Sequence, residues 1–287
     1  GATSNASNNK WTNHPAFTFG DIELTGIWVA KYEATAAEGV ANSTGGDNVT
    51  SKTVKIIPNV QSWRYINTGN AFTAVRNMES NSVYGWPTAS GLKEDGTYTN
   101  DNNNIDTHLM KNIEWGAVAY LSKSQYGKNT EEIAINTSSS YITGTGGVSA
   151  STTGNKYGIY DISGGAWERV SAYVDNGQTE NGGSIIQAVS KYKDVYAKGN
   201  TDDVYNNYHL AINKKGDAVY ETSLNIAGSY SWFNDFAYMP TAGFPWFFRG
   251  GDWSYGGSAG AFSFNFTDGG TYSISGFRPV LVVNAGL

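Results

Sequence analysis

Cysteine is absent from the 287-residue sequence, which excludes disulfides, thiolate metal ligands and a cysteine nucleophile. Charged residues are scarce as well, at 15% of the chain against roughly 25% in typical soluble domains. No apolar run is long enough to span a membrane, since the longest candidate is "GFRPVLVV" near the end of the chain. These absences leave few reactive groups and no predicted membrane span.

Small and aromatic residues make up much of what remains. The chain has 35 Gly, nine Trp and nineteen Tyr, with a hydrophobic share of 39% that is ample for a core. This composition is typical of short strands joined by many turns. The net charge of −6 and the lack of any Lys or Arg run exclude nucleic acid as a predicted partner, because phosphate binding needs a basic face.

The order of segments predicts one domain after a short leader. Residues 1–18 are polar and predict a flexible N-terminal tail, and residues 19–287 predict a single α+β domain without internal repeats. Residues 22–35 are rich in β-branched and aromatic residues and predict a strand. Residues 176–238 are polar and irregular, which predicts a long insertion.

Helical spacing of apolar residues predicts two helices. The clearer one lies in "DTHLMKNIEWGAVAYLSKSQYG", where Asp106 or Thr107 would cap the start and Gly127 would follow the end. Its apolar face would consist of Met110, Ile113, Ala117, Tyr120 and Leu121. A shorter helix is predicted in "AFTAVRNMES", residues 71–80.

The last part of the chain contains few types of amino acid. Lys, Glu, Gln and Met make up 32 of the first 239 residues and none of the final 48, where about six would be expected at the same frequency. Ser, Asn, Asp, Tyr and Gly are instead frequent there. One interpretation is a recognition surface, because rigid Tyr and adaptable short polar side chains suit binding. The alternative is a Gly- and aromatic-rich β segment that excludes long polar side chains.

Three stretches together resemble the formylglycine-generating-enzyme family. They are "YGIYDISGGAWERV", "FRGGDW" and "GFRPVLVV", and the helix "KNIEWGAVAYLSKS" lies where that family has one. The resemblance extends over roughly residues 22–283. It implies an α+β fold of the C-type lectin-like class, in the subclass of this enzyme family, with short antiparallel strands, two helices and long loops.

The departures from that family concern its chemistry. Members that oxidise a substrate cysteine use cysteines of their own, and this chain has none. His14, His108 and His209 are scattered, unlike the clustered histidines of iron-using relatives. Gly165 and Arg169 replace the family's Asn and second Trp. The resemblance therefore implies the fold without the catalysis, and we predict that the protein is not an enzyme.

A narrower resemblance covers "RGGDWSYGGSAGAFSFNFTDGGTYSISGFRPVLVV". This stretch is similar to the C-terminal region of the variable proteins that retroelements diversify in phages and bacteria. Their diversification randomises adenines, mostly in Asn-type codons, which can become Ser, Tyr, Asp, Thr, Gly, Ala or Phe codons but not Lys, Glu, Gln, Met or Trp codons. The resemblance implies a variable ligand-binding region at about residues 248–278.

Within that region we predict twelve displayed residues. They are Asp252, Ser254, Tyr255, Ser258, Ser263, Asn265, Thr267, Asp268, Thr271, Tyr272, Ser273 and Ser275. Six further residues are predicted to serve the scaffold, with Arg249 and Arg278 each pairing with a buried acid. The six are Trp167, Glu168, Arg249, Trp253, Phe277 and Arg278.

No cofactor is predicted. Calcium is the one candidate, since carboxylates bind hard cations, and Asp161, Glu168 and Asp175 would be its ligands.

The sequence thus predicts a ligand-recognition protein with hypervariable residues on a lectin-like scaffold. Its partner would be a protein or cell-surface ligand, and its location the extracellular surface of a virion or bacterial cell. Two alternatives stay open. One is an enzyme of the same family with metal chemistry that needs no cysteine, and the other is a calcium-dependent carbohydrate-binding lectin.

Overall fold

The computed structural model describes residues 3–5, 10–100, 104–175, 180–200, 203–224 and 229–283. The α-helices in these ranges are α1 (Thr44–Asp47), α2 (Thr68–Arg76), α3 (Asn112–Ser122), α4 (Gly183–Gln187) and α5 (Val204–Leu210). The strands there are β1 (Thr3–Asn5), β2 (Lys10–Thr12), β3 (Thr18–Phe19), β4 (Ile22–Glu23), β5 (Trp28–Val29), β6 (Thr35–Ala36), β7 (Val54–Lys55), β8 (Ile105–Leu109), β9 (Trp167–Asp175), β10 (Asp194–Ala197), β11 (Ser229–Tyr230), β12 (Phe236–Ala237), β13 (Trp246–Gly250), β14 (Gly260–Thr267), β15 (Ser275–Phe277) and β16 (Pro279–Val283).

The largest sheet in the described ranges has seven strands. Its order is β10-β9-β13-β14-β12-β11, and β15 pairs with the first residues of β9. Strand β13 is antiparallel to both β9 and β14. Strands β10 and β15 are parallel to β9, and β12 is parallel to β14. The prediction of antiparallel strands is therefore wrong for these three pairs, and the sheet is mixed.

Strand β9 is buried on both faces. Its successive side chains point to opposite sides of the strand and therefore enter different cores. Val170, Ala172 and Val174 pack into one hydrophobic core, and Tyr173 packs into the other. Helix α3 supplies Trp115 to the first core, where its indole N–H donates to the carbonyl of Ala261 at 2.7 Å. Helix α2 packs into the second core. The sheet therefore separates two cores.

The predicted helices both exist, with different starts. Residues 105–109 form β8 rather than the first turn of α3, because they pair antiparallel with β16. Asp106 and Thr107 therefore do not cap the helix. Helix α3 begins at Asn112, where the Lys111 N–H donates to a carboxylate oxygen of Glu114 at 2.8 Å. In the described ranges three shorter helices accompany the predicted two, so the prediction of two helices is also wrong.

Helix α2 begins three residues before the predicted segment, at Thr68. The side-chain oxygen of Asn67 accepts the N–H of Asn70 at 2.7 Å and caps this start. Residues 77–80 continue as a 3₁₀ turn rather than an α-helix. The strand predicted over residues 22–35 is divided among β4, β5 and the first residue of β6. Local propensity predicted these elements, but tertiary pairing decided their ends.

The segment predicted as an insertion completes the sheet. Within residues 176–238, β10 pairs with β9 and β12 pairs with β14. Residues 176–179, 201, 202 and 225–228 of that segment lie outside the described residues.

The predicted N-terminal tail ends earlier than residue 18. Residues 1, 2 and 6–9 lie outside the described residues, but β1 pairs with β2. His14 and Ala16 are buried. Packed structure therefore begins before residue 19.

None of the helices in the described residues has the length and apolar character that crossing a bilayer requires.

Gly116 lies where α3 approaches the chain near residue 216, and we expect Gly116→Ala to destabilise the protein by about 3 kcal/mol. A Cβ at Gly116 would lie 2.0 Å from the carbonyl oxygen of Gly216, and backbone cannot move aside cheaply. Urea unfolding would measure the change. The control is Gly183→Ala in α4, where no atom lies within 4 Å of the added Cβ. The control should be neutral or stabilising, and equal losses in both variants would contradict the argument.

Candidate ligand-binding face

Two loops flank β14 and meet at the start of β9. The first loop, residues 251–259, joins β13 to β14, and the second, residues 268–274, joins β14 to β15. The second loop begins beside Trp246, which pairs with Thr267, and ends beside Trp167, which pairs with Ser275. It therefore runs back along the sheet toward the first loop. We call residues 252–258 and 268–273 together the display face.

The first loop is held by short-range hydrogen bonds. A carboxylate oxygen of Asp252 accepts from the Ser254 N–H at 2.8 Å and from the Ser254 hydroxyl at 2.6 Å. The Trp253 N–H donates to the carbonyl of Gly165 at 3.0 Å. Gly165 has φ 77°, a conformation that side chains other than glycine rarely adopt. A Cβ at this position would also lie 2.6 Å from a carboxylate oxygen of the buried Glu33, so glycine here has a structural reason.

The second loop is also fixed by its own side chains. A carboxylate oxygen of Asp268 accepts from the Gly270 N–H at 2.7 Å and from the Tyr272 hydroxyl at 2.8 Å. The carbonyl of Tyr272 accepts from the Tyr65 N–H at 3.0 Å. Tyr272 is 37% exposed. Its ring is thus presented to solvent in one orientation, which reduces the entropy that binding would cost.

A continuous chain of contacts through the scaffold links the tyrosines of the two loops. The Tyr255 ring packs edge-on against the buried Trp167 at 5.0 Å, and Trp167 stacks on Phe248 at 6.0 Å. The guanidinium of Arg169 lies 5.2 Å from the Phe248 ring and 6.0 Å from the Tyr272 ring. Because each of these cation–π and ring contacts stabilises its neighbour's position, the two loops share one rigid support.

The buried Arg169 side chain holds the second loop in place. Its guanidinium donates to the carbonyl of Gly270, to the Thr68 hydroxyl at 2.9 Å and to the Ser275 hydroxyl at 2.8 Å. Burial lowers the pKa of Arg169 to about 9, against the opposing effect of Asp268. From the sequence, Arg169 was only a departure from the family pattern. In the structure its hydrogen bonds fix the second loop.

A second set of contacts joins the loops at their rim, and sequence reasoning missed it. Burial raises the pKa of the Tyr141 hydroxyl, and the nearby Trp253 side chain opposes that shift. The Arg64 guanidinium lies 4.0 Å from the Tyr141 ring and donates to the carbonyl of Ser273. Tyr65 and Tyr141 have φ of 56° and 57°, and such strain in bulky residues is often found at functional sites. No sequence pattern predicts these positive φ values.

The structure leaves eight of the twelve predicted residues exposed or half-buried. These are Ser254, Tyr255, Ser258, Asn265, Asp268, Thr271, Tyr272 and Ser273. Their participation in binding stays a prediction.

The other four predicted residues are buried, so the prediction that they are displayed is wrong. Ser263 is buried although its neighbours Phe262 and Phe264 face the core, because both faces of β14 are covered at this point. Ser275 accepts the Arg169 hydrogen bond, and the Thr267 hydroxyl accepts from the Gly269 N–H at 3.1 Å. Asp252 folds back on Ser254. Each of the last three uses its polar atoms to shape a loop rather than to face solvent.

Five of the six predicted scaffold residues are fully buried, namely Trp167, Glu168, Arg249, Phe277 and Arg278. Arg278 pairs with Glu168, whereas Arg249 donates to the carbonyls of Asp217 and Ala218 at 3.5 and 3.2 Å. The prediction of an acidic partner is therefore wrong for Arg249, which backbone carbonyls hold instead. Trp253 is half-buried at the rim.

The three acids named as calcium ligands are not arranged as a metal site. Asp161 accepts from the Asn136 amide at 2.8 Å and from the Gly144 N–H at 2.9 Å, and both oxygens of Glu168 accept from Arg278. Asp175 is at the other end of β9. Among the described residues there is no group of three or more His, Asp or Glu side chains that could hold a metal ion.

The display face offers hydroxyl, amide, carboxylate and phenol groups for hydrogen bonds and ring contacts. Of the histidines, His14 and His108 are buried and His209 lies in α5, away from both loops in sequence. The hydroxyl, amide and phenol groups of the display face suit hydrogen bonding and ring contact with a ligand.

Comparison with known proteins adds a weak likeness to a solved structure. No protein-family model matches the chain, and no curated protein matches it. Among solved structures it is similar to Treponema denticola variable protein 1, with 15% sequence identity and a TM-score of 0.35 over 76% of this chain and 70% of that chain. A likeness this weak assigns neither fold nor function. The mixed α+β architecture, with few helices and curled sheets, is compatible with a C-type lectin-like fold.

Proposed function

We propose that the protein is a ligand-recognition protein whose hypervariable residues lie on the display face of a C-type lectin-like scaffold of the formylglycine-generating-enzyme subclass. In this proposal a retroelement diversifies the coding segment for those residues, and the protein has no catalytic activity. Its ligand is a protein or another molecule of a cell surface. It acts at the extracellular surface of a virion or bacterial cell, without a required metal.

One observation carries the proposal. Eight short polar or tyrosine side chains lie exposed or half-buried in or beside two loops, whose backbones are held by buried residues of the scaffold. The anchors Trp167 and Arg169 lie in β9, outside the variable segment. Side chains can therefore change at the surface while the support stays the same, which is how binding loops on a rigid framework work.

Randomisation of the display face tests this proposal. We expect single substitutions at Ser258, Thr271 and Ser273 to change the free energy of unfolding by no more than about 0.5 kcal/mol each. Thermal unfolding of a library built with Ser, Tyr, Asp, Asn, Thr, Gly, Ala and Phe would measure this. Selection of the same library on streptavidin as the probe should yield binders.

The matched control library varies Ser263, Thr267 and Ser275, which are buried. We expect most of its members to unfold at lower temperature and none to be selected on streptavidin. Equal loss of stability in both libraries would contradict the proposal.

A second test is genomic and addresses the retroelement. We expect a near-copy of the last coding segment, differing at adenines, beside a reverse transcriptase gene. If the chromosomal neighbourhood lacked these features, the proposal of ligand recognition would stand and the proposal of diversification by a retroelement would be wrong.

Metal analysis separates the two alternatives. A stoichiometric transition metal in the purified protein would favour the enzyme, and glycan binding that is lost on chelation would favour a calcium-dependent lectin.

A further inference from the structure

A cleft of about 430 Å³, separate from the display face, is lined by five lysines. They come from distant segments and are Lys111, Lys191, Lys193, Lys214 and Lys215. The whole chain has 14 lysines and a net charge of −6, so more than a third of its lysines converge on one cleft of an acidic protein. A cleft lined by one sign of charge concentrates field lines and attracts counter-ions.

The acidic groups near this lysine cleft do not neutralise it. Within the described part of the chain, Asp194 is the one acidic residue that lines it. Glu114 lies 3.5 Å from the ammonium of Lys111, and Asp106 lies 3.5 Å from that of Lys191. Asp175 acts on Lys193 at longer range. Asp194 also acts on Lys214, but among the described residues neither Lys214 nor Lys215 forms an ion pair within 4.0 Å.

Several of the lysines are held in place before any ligand arrives. Lys111 is 4% exposed, and its ammonium donates to the carbonyl of Lys191 at 2.9 Å. The Lys193 ammonium donates to the carbonyl of Ile186 at 2.5 Å. The Lys214 ammonium lies 5.5 Å from the ring of the buried Tyr196. Fixed ammonium groups lose little freedom when an anion binds.

We propose that the lysine cleft binds a phosphate or sulfate ester that carries at least two negative charges. Ammonium groups form strong charge-assisted hydrogen bonds with such oxyanions, and lysine is a common phosphate ligand. The cleft volume lies within the range of small-molecule sites. The cleft shares no lining residue with the display face, so this second site goes beyond the proposed function and does not depend on it.

Titration calorimetry with two probes, inorganic pyrophosphate and a heparin-derived sulfated disaccharide, tests the lysine cleft. We expect at least one to bind in low salt and to weaken as salt is added, because exposed charges are screened. Lys214→Gln with Lys215→Gln should weaken binding by about tenfold or more. Pyrophosphate binding alone would identify a phosphate site, and disaccharide binding alone a sulfate site.

The matched control is Lys55→Gln with Lys93→Gln, which removes two exposed lysines that do not line the cleft. It should bind as the unsubstituted protein does, and Tyr272→Ser in the display face should bind the probes equally well. Thermal unfolding confirms that each variant is folded. No binding of either probe, or equal weakening in the two lysine pairs, would overturn the proposal.

Discussion

Arg278→Met is expected to lower the free energy of unfolding by about 3–5 kcal/mol, as loss of one partner of a buried ion pair does. The Arg278 side chain is buried, and its guanidinium donates to both oxygens of Glu168, at 2.9 Å for one of them. It also donates to the carbonyls of Ala30 and Tyr160, at 2.6 and 2.9 Å. Methionine fills the space but leaves all four oxygens without these donors.

The pair connects parts of the chain that are distant in sequence. Although burial opposes the charge of Arg278, Glu168 holds its pKa above the usual value. Glu168 lies in β9 next to Trp167, and Arg278 immediately follows β15. Loss of the pair should therefore loosen the support of the second loop as well as the core.

Urea unfolding of three variants tests this role. The exposed control Lys93→Met should change the free energy of unfolding by less than about 0.5 kcal/mol. The double variant Glu168→Met with Arg278→Met should regain part of the loss, because no charge is then buried alone. A loss in Arg278→Met no larger than in the control would contradict the assignment of Arg278 to the scaffold.

The protein is expected to be more stable at pH 5 than at pH 8, by about 4 kcal/mol from two buried carboxyls. Burial raises the pKa of Asp235 to about 7 and that of Asp217 to about 6. Both keep their protons in the folded state at a pH where the unfolded chain has lost them. Their contribution is complete below about pH 4 and is lost as the pH rises through 6 and 7.

Urea unfolding at pH 5, 6, 7 and 8 measures this dependence. Asp235→Asn should remove about 3 kcal/mol of it, since the amide oxygen can still accept the Phe262 N–H, 2.8 Å away in the folded protein, without titrating. Glu131→Gln, whose side chain is 79% exposed, is the control and should leave the dependence unchanged. A flat pH profile, or an unchanged one in Asp235→Asn, would show that Asp235 is not protonated in the folded state.

Helix α3 and the C-terminal β segment could be predicted from the sequence because their signals are local. Apolar spacing marks the helix, and aromatic residues alternate along β14. The parallel partner strands β10 and β12 could not be predicted, since they are only four and two residues long and depend on distant pairing.

The sequence predicted that the two loops carry exposed residues, but it did not predict which residues of β14 are buried. Ser263 and Asn265 lie on the same face of β14, but Ser263 is buried because the fold covers that face there, which spacing along the strand does not reveal. The rim residues Arg64 and Tyr141 reach the face only through the fold. The lysine cleft could not be predicted from the sequence either. Its residues come from segments about 80 and 20 positions apart and never form a basic run.

The path of the second loop limits how far its length can change. Thr267 is aligned with Tyr173 through Trp246, and Ser275 is aligned with Trp167, so the loop runs along the sheet as well as across β13 and β9. One guanidinium nitrogen of Arg169 donates to both the Gly270 carbonyl and the Ser275 hydroxyl. A deletion between Gly270 and Ser275 would therefore remove one of these contacts or shift β15 against β9. Exchange of exposed side chains at constant length leaves both contacts in place, so this surface accommodates substitution better than a change of loop length.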